Sequence, residues 1–231
     1  MHTLSCRKIV VLLLFISKAI FTAAQPNLEQ YDNRILHFGF TLAGNIGRAH
    51  LDVKTLELPN DSLRQMTVKS FPGIGLGAIT NLHLNDNMDI RLMAPVISFV
   101  QRNMVYQFEN SRDEVKIESA YCDASLLFKY KSARRKNTRL SVIGGGRMSY
   151  DFASAVKKNR GLQDPVVSLN PITFGWEAGV GFDFYFEYFK FSPEIKACQT
   201  FGNAMYRDGF IFTNYIQNIS PQLIQFSLHF E

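Results

Sequence analysis

The stretch from Thr173 to Pro193 reads TFGWEAGVGFDFYFEYFKFSP, and it decides the fold class of this chain. From Phe174 to Phe186 every even position is apolar or aromatic, whereas the odd positions carry glycine, tyrosine, aspartate or glutamate. Successive side chains of a β-strand point to opposite faces, so this period of two predicts a strand with one apolar and one polar face. The apolar face must lie against either a protein core or lipid.

The same alternation recurs along the chain and predicts eight strands. They cover residues 36–45, 73–85, 88–100, 115–130, 138–152, 173–186, 190–200 and 222–231. Proline cannot donate a ladder hydrogen bond, so a bulge is expected at Pro95 in the third strand, where Val96 is assigned to the apolar face. The segments 46–70 and 101–114 are interpreted as loops, although 50–58 alternates weakly enough for a strand extension or a small hairpin.

The lengths of the strands and connections predict an all-β fold, an eight-stranded antiparallel up-and-down transmembrane β-barrel. Strands of about 10 to 16 residues exceed the usual 5 or 6 of soluble sheets and are long enough to cross a bilayer. The connections alternate between long and short, at about 25, 3, 14, 7, 20, 3 and 21 residues. Outer-membrane barrels combine short periplasmic turns, long outer loops and an even strand count, so both termini are expected in the periplasm.

A soluble lipocalin-type barrel is the alternative, and it would place its apolar face inside. The polar faces of these strands carry too many charges to line an apolar cavity without a large desolvation cost. Inside a narrow membrane barrel the charges can pair. The predicted lumen charge network consists of Asp89, Arg91, Asp123, Lys129, Arg139, Arg147, Asp183, Glu187, Glu194 and Lys196.

The first 24 residues have the composition of a secretory signal peptide. Basic Arg7 and Lys8 precede a short apolar run, and small residues end the segment at Ala24. The run is shorter than the roughly 20 apolar residues of a spanning helix. The remaining chain is divided into a periplasmic leader, 25–34, and an outer-membrane barrel, 35–231.

The net charge and the cysteines indicate neither a nucleic-acid-binding protein nor a disulfide-bonded one. Three of the 25 lysines and arginines lie in the signal peptide, so the other 22 nearly balance the 20 acidic residues and no nucleic-acid partner is expected. By strand phase Cys122 points outward and Cys198 inward, which predicts that no disulfide joins them.

No catalytic or metal-binding pattern stands out, and we expect no enzyme activity, cofactor, metal or small-molecule substrate. The histidines after the signal peptide are scattered without ligand spacing. The glycines at 73, 75 and 77 lie within a strand, without the following helix of a phosphate loop. An outer-membrane enzyme would have to use a rim pair such as Asp151 and Glu177.

Function is therefore expected at the ends of the barrel. Charges in the periplasmic half are predicted to seal the lumen. Inward glycines in the outer half either admit side chains such as Arg147 and Tyr121 or leave a shallow pocket. The basic turn Arg134, Arg135 and Lys136 is a candidate docking site for an acidic partner, the alternative being a solvated or lipid-facing cap.

Two long segments resemble the PorT family of Bacteroidetes outer-membrane proteins, which serve type IX secretion and gliding motility. They are IESAYCDASLLFKYKSARRKNTRLSVIGGGRMSYDFAS, 117–154, and GWEAGVGFDFYFEYFKFSPEIK, 175–196. The opening of the first strand, HFGFTLAGN, and the run QRNMVYQF are also similar to it. The likeness covers most of the mature chain.

The resemblance implies a non-enzymatic barrel subunit required for protein transport across the outer membrane. Its partners would be other subunits of the secretion machine and outer-membrane lipid. The alternative is a stand-alone small barrel with a structural role or with a surface site for a ligand or partner.

Overall fold

The computed structural model describes residues 27–28, 30–53, 63–108, 112–154, 169–206 and 216–231. Nine β-strands make up most of these residues. The strands are β1 Leu36–Val53, β2 Leu63–Ser70, β3 Pro72–Asn85, β4 Met88–Phe108, β5 Arg112–Lys131, β6 Thr138–Asp151, β7 Ile172–Tyr185, β8 Lys190–Thr200 and β9 Ile216–Phe230. A single 3-10 turn, Tyr31–Asn33, precedes them. No helix among the described residues is long and apolar enough to cross a membrane. The predicted signal peptide, 1–24, lies outside the described residues.

The strands close into a ring with eight positions. β2 and β3 follow one another on either side of Phe71 and both pair with β4, so together they occupy one position. All neighbouring strands are antiparallel, and the pairing of β1 with β9 and of β4 with β5 closes the ring. This confirms the predicted eight-stranded antiparallel up-and-down barrel.

Two segments predicted as loops are largely strand, because the ladders of hydrogen bonds continue beyond the strongly alternating residues. β1 pairs with β9 as far as Val53, and β2 pairs with the upper part of β4, so much of 46–70 is strand. Likewise β4 and β5 pair out to Gln107 and Arg112, within the segment interpreted as the loop 101–114. Ladder hydrogen bonds join backbone groups and do not require alternating side chains, so the strands extend past the residues that the alternation identifies.

The two faces of the strands are divided as the alternation predicts. On β1, Phe38 is 68% exposed on the outer wall, while Thr41 is fully buried in the lumen. Cys122 and Cys198 are both free, the first half-buried and the second buried, which confirms that no disulfide joins them. The apolar band on the outside is the surface that faces lipid.

The bulge at Pro95 is confirmed, and it corrects the predicted orientation of one residue. The register between β4 and β5 shifts between Met93 and Val96. The shift reverses the phase beyond it, so that Val96 is buried in the lumen instead of facing outward.

The ends of the barrel differ in their connections. Residues 86–87, 132–137 and 186–189 form three short connections at one end, which we call the turn end. Residues 54–62, 109–111, 152–171 and 201–215 connect the strands at the other, which we call the loop end. Backbone hydrogen bonds at the turn end join Lys131 to Asn87 and Tyr185 to Asn137 and so hold adjacent turns together.

Candidate functional site: the filled lumen and its turn end

A buried network of charges fills the half of the lumen nearest the turn end. Arg91 on β4 donates from Nη1 to Glu194 Oε1 on β8 at 2.5 Å. Lys129 on β5 donates to Asp183 Oδ1 on β7 at 2.7 Å. All four side chains are inaccessible to solvent. These contacts span the lumen and tie distant strands together.

Glu231 belongs to the same network, although it is not among the residues predicted for it. Its carboxylate accepts from Lys190 Nζ at 2.6 Å, from Arg91 Nη2 at 3.2 Å and from the Tyr31 hydroxyl at 2.7 Å. Lys190 lies on the same inward face of β8 as Ser192 and Glu194. The alternation of that strand could therefore have identified Lys190 as a lumen residue. Tertiary contacts alone reveal the role of Tyr31.

Burial and charge shift the pKa values of Tyr31 and Glu231 in opposite directions. Burial, and then the carboxylate of Glu231, raises the pKa of the Tyr31 hydroxyl well above its usual value. For Glu231, burial alone raises the pKa, but Lys190 and Arg91 lower it more, and the net pKa lies well below its usual value. Tyr31 is therefore a hydrogen-bond donor to an ionised carboxylate at neutral pH.

A second charge cluster fills the half of the lumen nearest the loop end. Arg147 Nη2 on β6 lies 2.7 Å from Asp123 Oδ2 on β5, and Lys196 Nζ lies 2.9 Å from Glu177 Oε2. Ser125 also donates to Glu177, at 3.0 Å. The predicted charges on β5 to β8 thus pair with one another within the lumen.

A small apolar cluster lies on one side of the lumen. It consists of Ile79, Met93, Val96 and Leu127, which are buried together. On β5, Leu127 lies between Lys129 of the first charge cluster and Asp123 of the second. On β8, Glu194 of the first cluster and Lys196 of the second are successive buried residues, so the two charge clusters adjoin on that side.

Glycines on β7 make room for the charged side chains. A Cβ at Gly181 would lie 2.5 Å from Glu194 Cγ, and one at Gly179 would lie 2.8 Å from Lys196 Cγ. Near the loop end, a cavity of about 30 Å³ remains beside Arg102, Tyr121 and Arg147. This volume holds only a water molecule or two, so side chains fill the space where an open outer pocket was the alternative.

Described residues of two long connections pack against each other at the loop end. Leu169 forms an isolated β-bridge with Met205, and the Asn170 amide donates to the Ala204 carbonyl at 2.8 Å. Leu169, Ala204, Met205 and Ile219 are all buried. These contacts therefore fasten the two connections to each other beside β9.

The segment 25–34, predicted only to be a periplasmic leader, closes the turn end. Asp32 lies 3.0 Å from Arg139 Nη2 and 3.8 Å from Arg134 Nη1. The Asn27 side-chain amide donates to the Tyr185 carbonyl at 3.1 Å, and Tyr31 stacks on His37 with ring centroids 3.9 Å apart. The leader is therefore an integral part of the barrel floor.

The structure also corrects two predicted site residues. Glu187 is exposed in the turn between β7 and β8 and does not belong to the lumen network. Arg134 is turned inward: its guanidinium lies 4.0 Å from the centre of the Tyr185 ring and donates to the Asn27 carbonyl. It is not available for docking, whereas Arg135 and Lys136 are exposed.

Asp89 and Arg139 lie near the floor, where Asp89 pairs with Lys131 at 2.8 Å and Arg139 with the leader.

The one carboxylate pair considered for catalysis is not assembled as a site. Asp151 accepts from the backbone amides of Ala120 and Ala153 at 3.1 and 2.9 Å. Glu177 is instead held by Lys196 and Ser125 deeper in the lumen. Within the described residues, no cluster of three or more histidine, cysteine, aspartate or glutamate side chains is arranged to hold a metal ion.

Comparison with known proteins identifies the class. Residues 23–206 match a family model described as an outer membrane protein beta-barrel domain. The crystal structure of OprG from Pseudomonas aeruginosa is similar with a TM-score of 0.49 at 13% identity, covering 83% of this chain and 93% of that one. The solid-state NMR structure of AlkL in DMPC bilayers has a TM-score of 0.38 at 10% identity, covering 91% of this chain and 90% of that one. No curated protein sequence matches this chain.

Proposed function

We propose, from the premise that this chain belongs to the outer membrane protein beta-barrel domain family, that it is a non-enzymatic subunit of a type IX protein-export machine. It acts through contacts with partner subunits and not by passing substrate through its own lumen. The specific role rests on the resemblance of 117–154 and 175–196 to the PorT family.

The filled lumen is the observation that carries the contact-based part of this proposal. Arg91, Lys129, Asp183 and Glu194 are inaccessible to solvent and paired across the barrel. An exported polypeptide could not pass without breaking these pairs and displacing the leader. What remains for function is the surface of the barrel and its two ends.

The turn end is assigned to the periplasm, together with both termini. Short connections face the periplasm in outer-membrane barrels, while longer loops face outward. In this orientation the exposed Arg135 and Lys136 point toward the periplasmic parts of the machine. They form the revised candidate docking site for an acidic partner, since Arg134 holds the leader.

Deletion of the gene followed by comparison of the exported proteins tests the proposal. We expect the loss of many exported proteins from the culture medium, with the outer membrane otherwise intact. A normal set of exported proteins would contradict the secretion role and leave the stand-alone small barrel as the function.

Complementation with two variants separates docking from folding. Replacing Arg135 and Lys136 by serine should reduce export while the barrel still assembles, because both side chains are exposed. Glu187→Gln, at another turn on the same end, is the matched control and should export normally. Full export by the double variant would remove this turn from the partner interface.

A further inference from the structure

A groove of about 470 Å³ lies at the turn end, between the leader and the outer wall of the barrel. Leu28 and Arg34 line it from the leader side, Leu36 and Phe38 from β1, and Tyr188 from the turn between β7 and β8. The leader, β1 and this turn together form the groove.

The groove has an apolar side that is continuous with the lipid-facing band. Leu36 is 44% exposed and Phe38 is 68% exposed, and on the same face of β1 they are followed by exposed Phe40 and Leu42. An acyl chain lying against the band can therefore extend to the groove without crossing a polar surface.

The opposite side of the groove is polar and basic. Arg34 is exposed there, and Tyr188, at 84%, is among the most exposed aromatic side chains at the turn end. Arginine binds phosphate through two parallel hydrogen bonds, and tyrosine favours the boundary between lipid and water. The polar side thus fits a phosphate at headgroup level.

Glu231, the acidic residue that lines the groove, does not repel an anion bound there. Glu231 contributes to the lining, but its carboxylate is buried and lies 2.6 Å from Lys190 Nζ and 3.2 Å from Arg91 Nη2. Its charge is directed into the lumen network, and Arg34 remains the charged side chain exposed at the groove.

We propose that this groove binds a phospholipid of the periplasmic leaflet, with the phosphate on Arg34 and one acyl chain along Leu36 and Phe38. The site goes beyond the secretion role and depends only on the membrane orientation assigned above. A bound phospholipid would join the leader to the wall and so place the periplasmic floor at a fixed depth in the membrane.

Native mass spectrometry of the folded full-length protein in detergent tests this site. With added phosphatidylglycerol, we expect one tightly retained lipid, and Arg34→Gln should weaken its binding by about tenfold through loss of the bidentate contact. Arg135→Gln removes an exposed charge at the same end but outside the groove, and it should leave retention unchanged. Diacylglycerol with the same acyl chains lacks the phosphate and should bind the wild type as weakly as phosphatidylglycerol binds Arg34→Gln.

Three results would overturn the proposal. Equal losses in Arg34→Gln and Arg135→Gln would indicate general charge attraction. Equal binding of diacylglycerol would indicate an apolar contact without headgroup recognition. If a photoreactive residue at position 188 yields a protein adduct in cells while no lipid is retained, the groove is a protein interface. All three results are separate from the secretion assay.

Discussion

Glu194 illustrates at the scale of one residue why so many charges can be buried in this barrel. Its carboxylate accepts from Arg91 at 2.5 Å and lies 2.9 Å from His229 Nε2, and Lys129 is 3.6 Å away. A buried carboxylate is costly unless paired, and here the partners come from three other strands. The identity of this residue therefore matters to the whole cross-section of the lumen.

We predict that Glu194→Leu destabilises the folded barrel by about 3–5 kcal/mol, because it leaves buried cations without their partner. Urea unfolding in lipid vesicles, followed by fluorescence of Trp176, measures the change. Glu187→Gln serves as the control. Because Glu187 is exposed, this substitution should change the free energy of unfolding little. Equal stability of the wild type and Glu194→Leu would show that the network does not contribute to the folded state.

At the scale of elements, the leader is the part whose structural role could not be derived from local pattern. Residues 25–34 have no alternation, and the 3-10 turn Tyr31–Asn33 is too short to leave a periodic signal. The partners that fasten the leader to the barrel floor are distant in the chain: Arg139 for Asp32 and Glu231 for the Tyr31 hydroxyl, each more than 100 positions away. Such contacts depend on barrel closure, which brings Arg139 and Glu231 to the same floor.

We predict that Arg134→Gln loosens the leader without unfolding the barrel. The change removes the charge that faces Asp32 and the Tyr185 ring, and the opening free energy of the leader should fall by about 1–3 kcal/mol. Hydrogen exchange of the amides of Tyr31 and Asn33 should accelerate, while exchange in β7 stays slow.

Arg135→Gln is the matched control for the leader, because Arg135 is in the same turn but is exposed. Its exchange pattern should equal that of the wild type. Accelerated exchange in both variants, or in neither, would contradict the role assigned to Arg134.

The ends of the strands also could not be derived from the alternation of residues. Alternation identified the membrane-spanning parts because lipid requires one apolar face there, whereas pairing alone extends β4 to Phe108. The inward position of Val96 was also missed, since a bulge at Pro95 could be expected but its effect on phase depends on the register with β5.

At the scale of the whole molecule, the described residues fill the barrel and cover its turn end. The leader covers the turn end, two charge clusters and a small apolar cluster fill the lumen, and the bridge between Leu169 and Met205 joins two connections at the loop end. An eight-stranded barrel has an interior just wide enough for side chains, so no single one of these closures has to do all the sealing.

We predict that the reconstituted protein shows no ion conductance in planar bilayers. A variant lacking residues 25–34 should also remain closed, because the buried pairs Arg91–Glu194 and Lys196–Glu177 do not involve the deleted residues. The large-pore conductance of a porin is the positive control. Steady current through the wild type would contradict the filled lumen, and current only through the deletion variant would show that the leader is the main seal.

Features of this protein that depend on neighbouring residues follow from its amino-acid pattern. These are the membrane-type alternation, the eight positions of the ring, the short turns and the inward charges, because lipid on one side and a narrow lumen on the other impose a period of two. Tertiary structure alone decided which charges pair, that Glu231 and Tyr31 join them, that Arg134 faces the leader and that Glu187 faces solvent. Those outcomes depend on contacts between residues far apart in the chain, which exist only after the barrel has closed.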